Sequence, residues 1–333
     1  MTTLASPPPP GGDFADERPL DLRTQPGRGD RIFDALLLAS TNTALLILGG
    51  GIVVFLCIFG VPTAVKSGFG LFTDLSWSPD TGHYGAMPFL AGSVAIAVIA
   101  VVVATPVSLA TALMINEYAP RWLKSPLTWV IDLLATVPSI VYGFWGLAVV
   151  SPGWGGPARW LGTHFGFIPP MRNPTPNPTP DQWGHSILIV GIICAVTVIP
   201  IITSISREVM AQAPRDVCEA ALGLGGTRWG MVTDVVFPFS KNGILGAALL
   251  GFGRGLGETM IPVILLSSHS ILTSATNGPN GMNTIAKKIT EDFVNSSHTG
   301  QDGLILLALI LFVATLGIAS FARAIVSRTG RAS

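Results

Sequence analysis

Arg254 and Glu258 stand four residues apart inside an apolar stretch that runs from about residue 242 to about residue 266. An ionised side chain near the centre of a bilayer costs about 2.5–3.5 kcal/mol on the insertion scale, so a charge kept there faces a polar neighbour or path. A guanidinium offers a fixed fork of donors that matches an oxyanion. On a continuous helix the carboxylate one turn further on shares its face and offsets its charge. Arg-then-Glu is the weaker order for a helical pair, which moves the reading from helix stability toward an ion pathway or anion site. A self-compensating pair against a neighbouring helix remains the alternative. The surrounding GFGRGLGE supplies Gly251, Gly253, Gly255 and Gly257. It matches neither a phosphate loop nor GxGxxG, and it follows no strand. Gly253 and Gly257 share a face suited to close helix packing, or else the run loosens the helix.

A second group lies in VPSIVYGFWG. Pro138 frees a carbonyl and kinks a spanning helix. Ser139 and Tyr142 could then supply hydroxyl donors to a polar path, or spend them on interhelical hydrogen bonds. The five histidines are scattered without metal-ligand spacing, and no HExxH, CxxC or nucleophile elbow is present. The chain therefore reads as a non-enzyme with no catalytic residues and no metal site.

Elements that would hold these groups follow from composition. Apolar residues make up 49% and charged residues 11%, with formal net charge zero. That is membrane composition, and it gives no electrostatic case for nucleic acid. Apolar runs at about 35–60, 86–115, 127–150, 186–204, 242–266 and 304–322 predict six spans in a lipid bilayer, an all-α polytopic membrane protein. Six spans place both termini on one side. With the termini inside, the inner segments hold 13 of the 19 Lys and Arg residues and the outer loops five, a positive-inside bias that makes both termini cytoplasmic.

Residues 1–30, rich in Pro, Gly and charge, predict a disordered tail ahead of a membrane domain over 31–333. The outer loop Trp154–Pro180, Gly-rich and then Pro-rich, reads as extended or polyproline II. Trp145, Trp154, Trp160 and Trp183 suit an interfacial belt. No short-period repeat is visible, and the three cysteines read as reduced thiols.

The loop 205–241 is polar, lies on the inner side, and carries small residues where a soluble loop would carry anything. Pro214 suits a helix start, and Val217, Ala221 and Leu224 fall at helical spacing. Gly225 and Gly226 then break the helix, and Thr227 can cap a second turn carrying Trp229, Val232 and Val236. A short helix with a small-residue face can press closely into a groove on another protein.

Glu219-Ala220-Ala221, three residues, Gly225, nine residues, then Val235-Val236-Phe237-Pro238 resembles the EAA motif of permease subunits of bacterial ABC importers. Phe237 stands where that motif usually has Leu. YGAMPF at 84–89, VPSIVYGFWGL at 137–147, IPIITSISREV at 199–209 and GRGLGETM at 253–260 are similar to the phosphate-specific importer permease, of the PstC type rather than the PstA type. The resemblance covers roughly residues 80–265. It implies a type I (MetI-like) ABC importer permease fold in the bacterial inner membrane. It also implies a heterodimer with a PstA-type permease, two ATP-binding subunits that hold ATP and Mg while this chain holds no cofactor, and an extracytoplasmic phosphate-binding protein. Glu219, Ala220, Ala221, Gly225 and Pro238 would couple to the ATPases, and Arg254, Glu258, Ser139 and Tyr142 would line the substrate pathway. A permease for molybdate or sulfate, and an ATP-independent anion carrier, are the competing expectations.

Overall fold

The computed structural model describes residues 28–165, 186–266 and 283–329. Most of the expected N-terminal tail and the Pro-rich half of the loop after Trp154 lie outside the described residues. The chain falls into two units, Met1–Val54 and Phe55–Ser333. In the first, helix α1 (Arg28–Leu45) passes through a π-helical turn at Leu46–Gly50 to the start of α2 (Gly51–Ser67).

In the second unit, a short α3 (Gly70–Thr73) and a hairpin of β1 (Trp77–Ser78) with antiparallel β2 (His83–Tyr84) lead into α4 (Met87–Leu113). Then come α5 (Arg121–Thr136), α6 (Ser139–Trp145) and α7 (Ser151–His164). Helix α8 (Ile187–Ala211) is followed by α9 (Arg215–Gly223), α10 (Arg228–Met231), α11 (Phe237–Leu256) and α12 (Met260–Leu265). The last elements are α13 (Ile285–Asp292) and α14 (His298–Thr329).

Among the described residues five helical runs are long and apolar enough to cross a membrane: Ile32–Ser67, Met87–Tyr118, Ile187–Ala211, Arg228–Leu256 and His298–Phe321. A sixth crossing is formed if α5 and the run Ser139–Trp154, bent by 89° at their junction, count as one span. The break falls at Val137–Pro138, where proline cannot donate to the helical ladder and disfavours helical φ/ψ in the residue before it. Val137 is extended there, with ψ 126°. A single kinked span was the expectation. The observed break separates an amphipathic α5 from the apolar run Ser139–Trp154 that follows, and only the two together reach span length.

The Gly-rich half of the loop after the third span differs from expectation. Instead of being extended, Ser151–His164 is helical. Trp154 packs against the main core, and the Trp160 ring stacks on His164 at 4.6 Å, so side-chain burial at one end and stacking at the other outweigh the glycines' weak propensity.

Helices α4, α8 and α11 pack together around Ile96, Ala100, Ala104, Ile193, Cys194, Val198, Ile202 and Ala247, all buried. In lipid the hydrophobic effect does not draw helices together, so contact depends on small residues that let backbones approach. Gly251 and Gly255 serve this purpose: a β-carbon at Gly251 would sit 2.8 Å from Val198 Cγ1, and one at Gly255 would sit 3.2 Å from Ala97 Cα. The expected packing pair, Gly253 and Gly257, is offset by two residues, which puts Gly253 on the opposite side of the helix, and neither has such a neighbour in this chain. A second cluster, with Tyr84, Phe89, Ile285 and Leu304, closes one end of the bundle. A third, with Leu113, Met210, Met231, Val232 and Val236, seats α9 and α10 at the other.

Candidate functional site

The fifth span breaks at the residues that carry charge. Helix α11 ends at Leu256, and Gly257 is its C-cap, with its N–H turned back to the carbonyls of Gly253 and Arg254. Glu258 and Thr259 lie in the gap before α12 starts at Met260. Arg254 is in the last turn of α11, where a cation favours the negative end of the helix dipole. It lies about 18 Å beyond Asn242 along the axis at the helical rise, deep in the span.

Because the helix ends between them, Arg254 and Glu258 do not share a face. Arg254 is exposed on the outside of this chain's bundle, whereas Glu258 is 8% exposed. Among the described residues neither forms an ion pair or a side-chain hydrogen bond. The offsetting pair expected from the i, i+4 spacing is therefore not made. The four glycines loosen the helix, and the break leaves Glu258 on the covered side of the bundle. Cys194 of α8 lies within electrostatic reach of both charges, a neighbour that its own apolar surroundings in the sequence gave no reason to place there.

The third span's break lies next to this one through packing. Helix α6 runs against α12, and a β-carbon at Gly143 would sit 2.7 Å from Ile264 Cδ1. Tyr142 is buried and its hydroxyl donates to the Leu134 carbonyl at 3.0 Å. That carbonyl is one whose helical partner would be Pro138, which has no N–H. Tyr142 thus repairs the break. Ser139, at the first position of α6, is half-buried.

Beyond α12, the buried Lys287 of α13 donates from Nζ to the Leu266 carbonyl that ends α12, and it pairs with Glu291 at 3.6 Å. Burial pushes the Lys287 ammonium below its usual range, with Glu291 opposing the shift. From sequence Lys287 was only one of the outer-loop cations; α13's strong one-sided apolar pattern was the available signal for its burial. Helix α13 is fixed to α4 where the Ile285 N–H donates to Ser93 Oγ at 3.1 Å. At the same end of the bundle, Asp74 accepts from the Ser76 hydroxyl and N–H and meets His83 at 2.7 Å, which holds its carboxyl down at about 2.

At the opposite end, α9 and α10 form the expected helix–turn–helix. Pro214 precedes α9, and the chain leaves it through Gly225 with φ +86°, a conformation that suits only glycine well. Gly225 N–H bonds the Leu222 carbonyl at 3.0 Å and Gly226 N–H the Ala221 carbonyl at 3.1 Å, the paired bonds of a Schellman C-cap. Thr227 caps α10 by accepting from Gly230 N–H at 3.0 Å. Glu219, Ala220 and Pro238 are exposed, and so are the apolar side chains of Val217, Leu224 and Trp229. Cys218 on the inner side of α9 has its thiol pushed up by burial and by Glu117 and Glu219.

A helical bundle with broken spans, an unpartnered charge deep in one of them and a projecting small-residue helix at one end defines a polytopic membrane transport subunit. The chain belongs to the family of binding-protein-dependent transport system inner membrane components, whose model matches residues 104–331. It is a transport component rather than an enzyme, an inner membrane protein with the fold of ABC importer permeases. Its relatives include the phosphate transport system permease protein PstC of Xylella fastidiosa, 35% identical, with 93% of this chain and 94% of that protein covered. PstC of Mesorhizobium japonicum is 34% identical over 89% of this chain and 90% of its own. PstC 2 of Mycobacterium tuberculosis is 33% identical over 90% and 92%. Among solved structures, a bacterial ABC transporter that imports the acidic polysaccharide alginate matches with TM-score 0.58 at 18% identity, covering 90% of this chain and 96% of that one. The same transporter type in complex with an alginate pentasaccharide-bound periplasmic protein matches with TM-score 0.60 at 17% identity.

Proposed function

We propose that this chain is one of two membrane-spanning subunits of an ATP-driven importer that carries inorganic phosphate delivered by an extracytoplasmic binding protein. The observation that carries this reading is Arg254, exposed from its own bundle and without a partner among the described residues. A guanidinium left facing lipid at that depth would be costly, so its face requires cover by a second protein. A second permease subunit of the PstA type fits that need, with the phosphate path at the interface and Arg254 offsetting the anion's charge in transit. The attraction must stay short of capture, because a transporter has to release what it binds. Glu258 sits buried one turn beyond and sets the electrostatic balance of the empty path, while Ser139 and Tyr142 belong to the neighbouring wall. PstC-named relatives at 33–35% identity over most of their length support phosphate as the cargo.

Two ATP-binding subunits, which hold ATP and Mg, meet the exposed side of α9 through Glu219, Ala220, Ala221 and Gly225, with Pro238 at the end of the motif. On this reading α9 and both termini are cytoplasmic, which the distribution of Lys and Arg supports. This chain itself needs no cofactor. Arg254→Lys, which keeps the charge and loses the fork, is expected to cut radiolabelled phosphate uptake by about tenfold while the ATP-binding subunits still co-purify. Undiminished uptake by that variant overturns the assignment of Arg254. Competition of wild-type uptake by molybdate or sulfate as strongly as by unlabelled phosphate overturns the choice of cargo.

A further inference from the structure

A cavity of about 510 Å³ opens at the α9 end of the bundle, well away from Arg254, and its lining is cationic. Arg121 and Lys124 come from the first turn of α5, Arg215 from the first position of α9, and Glu117 is the lone carboxylate on the wall. Among the described residues none of these four is in an ion pair. Arg121 and Arg215 are exposed and make no side-chain hydrogen bond there. Three cations against one carboxylate in a concave site concentrate positive potential instead of spreading it over a solvated face.

The walls are already tied together on one side and free on the other. Lys124 Nζ donates to the Asn116 carbonyl, Asn116 Nδ2 donates to the Arg207 carbonyl at 2.7 Å, and Arg207 Nη1 donates to Thr128 Oγ1 at 2.7 Å. The end of α4, α5 and the end of α8 are thereby bolted to one another. Among the described residues no such side-chain bond joins them to Arg215. An anion held between Arg121 and Lys124 on one wall and Arg215 on the other would supply that missing tie.

We propose that this cavity binds a phosphate group presented from the cytoplasm and that its occupation restrains α9, slowing the transport cycle. Guanidinium groups match a tetrahedral oxyanion through paired donors, and Lys124 adds a point charge. The group can arrive as free inorganic phosphate or as the headgroup of an anionic phospholipid. The proposal rests on the reading that α9 meets the ATP-binding subunits.

The test uses the whole complex in proteoliposomes with its ATP-binding subunits facing out, and follows ATP hydrolysis stimulated by phosphate-loaded binding protein in the lumen. Inorganic phosphate is titrated on the outer side, in phosphatidylcholine alone and with phosphatidylglycerol added. Arg121→Gln is the variant, because its side chain carries no bond of the fold, and Arg121→Lys is the conservative comparison. The expected result in phosphatidylcholine is a half-inhibiting phosphate concentration about tenfold higher for Arg121→Gln than for wild type, the size of one lost charged hydrogen bond, with Arg121→Lys in between. Loss of that contrast in phosphatidylglycerol, with a wild-type rate already lowered relative to Arg121→Gln, assigns the site to the lipid headgroup. Identical responses of wild type and Arg121→Gln in both lipids overturn the site. Failure of loaded binding protein to stimulate wild-type hydrolysis overturns the transport reading instead, so the two failures are distinct.

Discussion

Two spanning segments of this protein are broken, and they treat their polar groups in opposite ways. At Val137–Pro138 the carbonyl that proline leaves without a partner, on Leu134, is recovered by the Tyr142 hydroxyl at 3.0 Å. At Gly257–Thr259 Glu258 is 8% exposed and has no partner among the described residues, its carboxylate oxygens still reaching the surface, and Arg254 is turned outward. A repaired break is a fixed bend in the architecture. An unrepaired one leaves an ionisable group uncommitted within the chain and free to act on something else.

The largest expected effect separates the two. Glu258→Gln should lower phosphate uptake by about a hundredfold, the scale of one preorganised electrostatic group. It should leave the melting temperature of the purified complex unchanged, because Glu258 makes no ion pair or side-chain hydrogen bond among the described residues. A lowered melting temperature would show that Glu258 is structural after all and would erase the contrast. Gly143→Ala tests the contact through which the breaks communicate. The added methyl meets Ile264 Cδ1, and overpacking costs about 1–3 kcal/mol, so uptake should fall by about tenfold with a lowered melting temperature. Unchanged uptake would mean that α6 and α12 move independently. Tyr142→Phe, the smallest, should cost about 1 kcal/mol of stability, the value of one hydrogen bond, and leave uptake within about twofold. A larger loss of uptake without loss of stability would mean that the Tyr142 hydroxyl acts on the phosphate from its place in the wall instead of only holding the bend.

Much of this was legible in sequence because membrane constraints are strict. Charges as rare as Arg254 and Glu258 inside an apolar run declare themselves, and the spacing from Glu219 through Gly225 to Pro238 carries its own turn chemistry. The relation between Arg254 and Glu258 was not legible. An i, i+4 spacing implies a shared face only if the helix continues, and four glycines in seven residues signal looseness without saying where the ladder stops. The 89° bend was underestimated for a similar reason: proline marks the position of a break but not its angle, which depends on what α6 packs against. Helix Ser151–His164 was missed because glycine and proline content argued against it, while the Trp154 packing and Trp160–His164 stacking that favour it are tertiary.

The run Arg228–Leu256 is helical throughout, with a π-helical turn at Val232–Val236. At the helical rise Arg254 stands about 39 Å from Arg228, so a stiff rod pivoting by only about 5° at its base would sweep its far end through about 3 Å. That displacement is the width of a single hydrogen bond, enough to make or sever a guanidinium's hold on an anion. The wider π-helical turn near the base is the natural point of compliance, and on the proposed role of Arg254 a small angular stroke at one membrane face would become a grip closed or released deep in the bilayer.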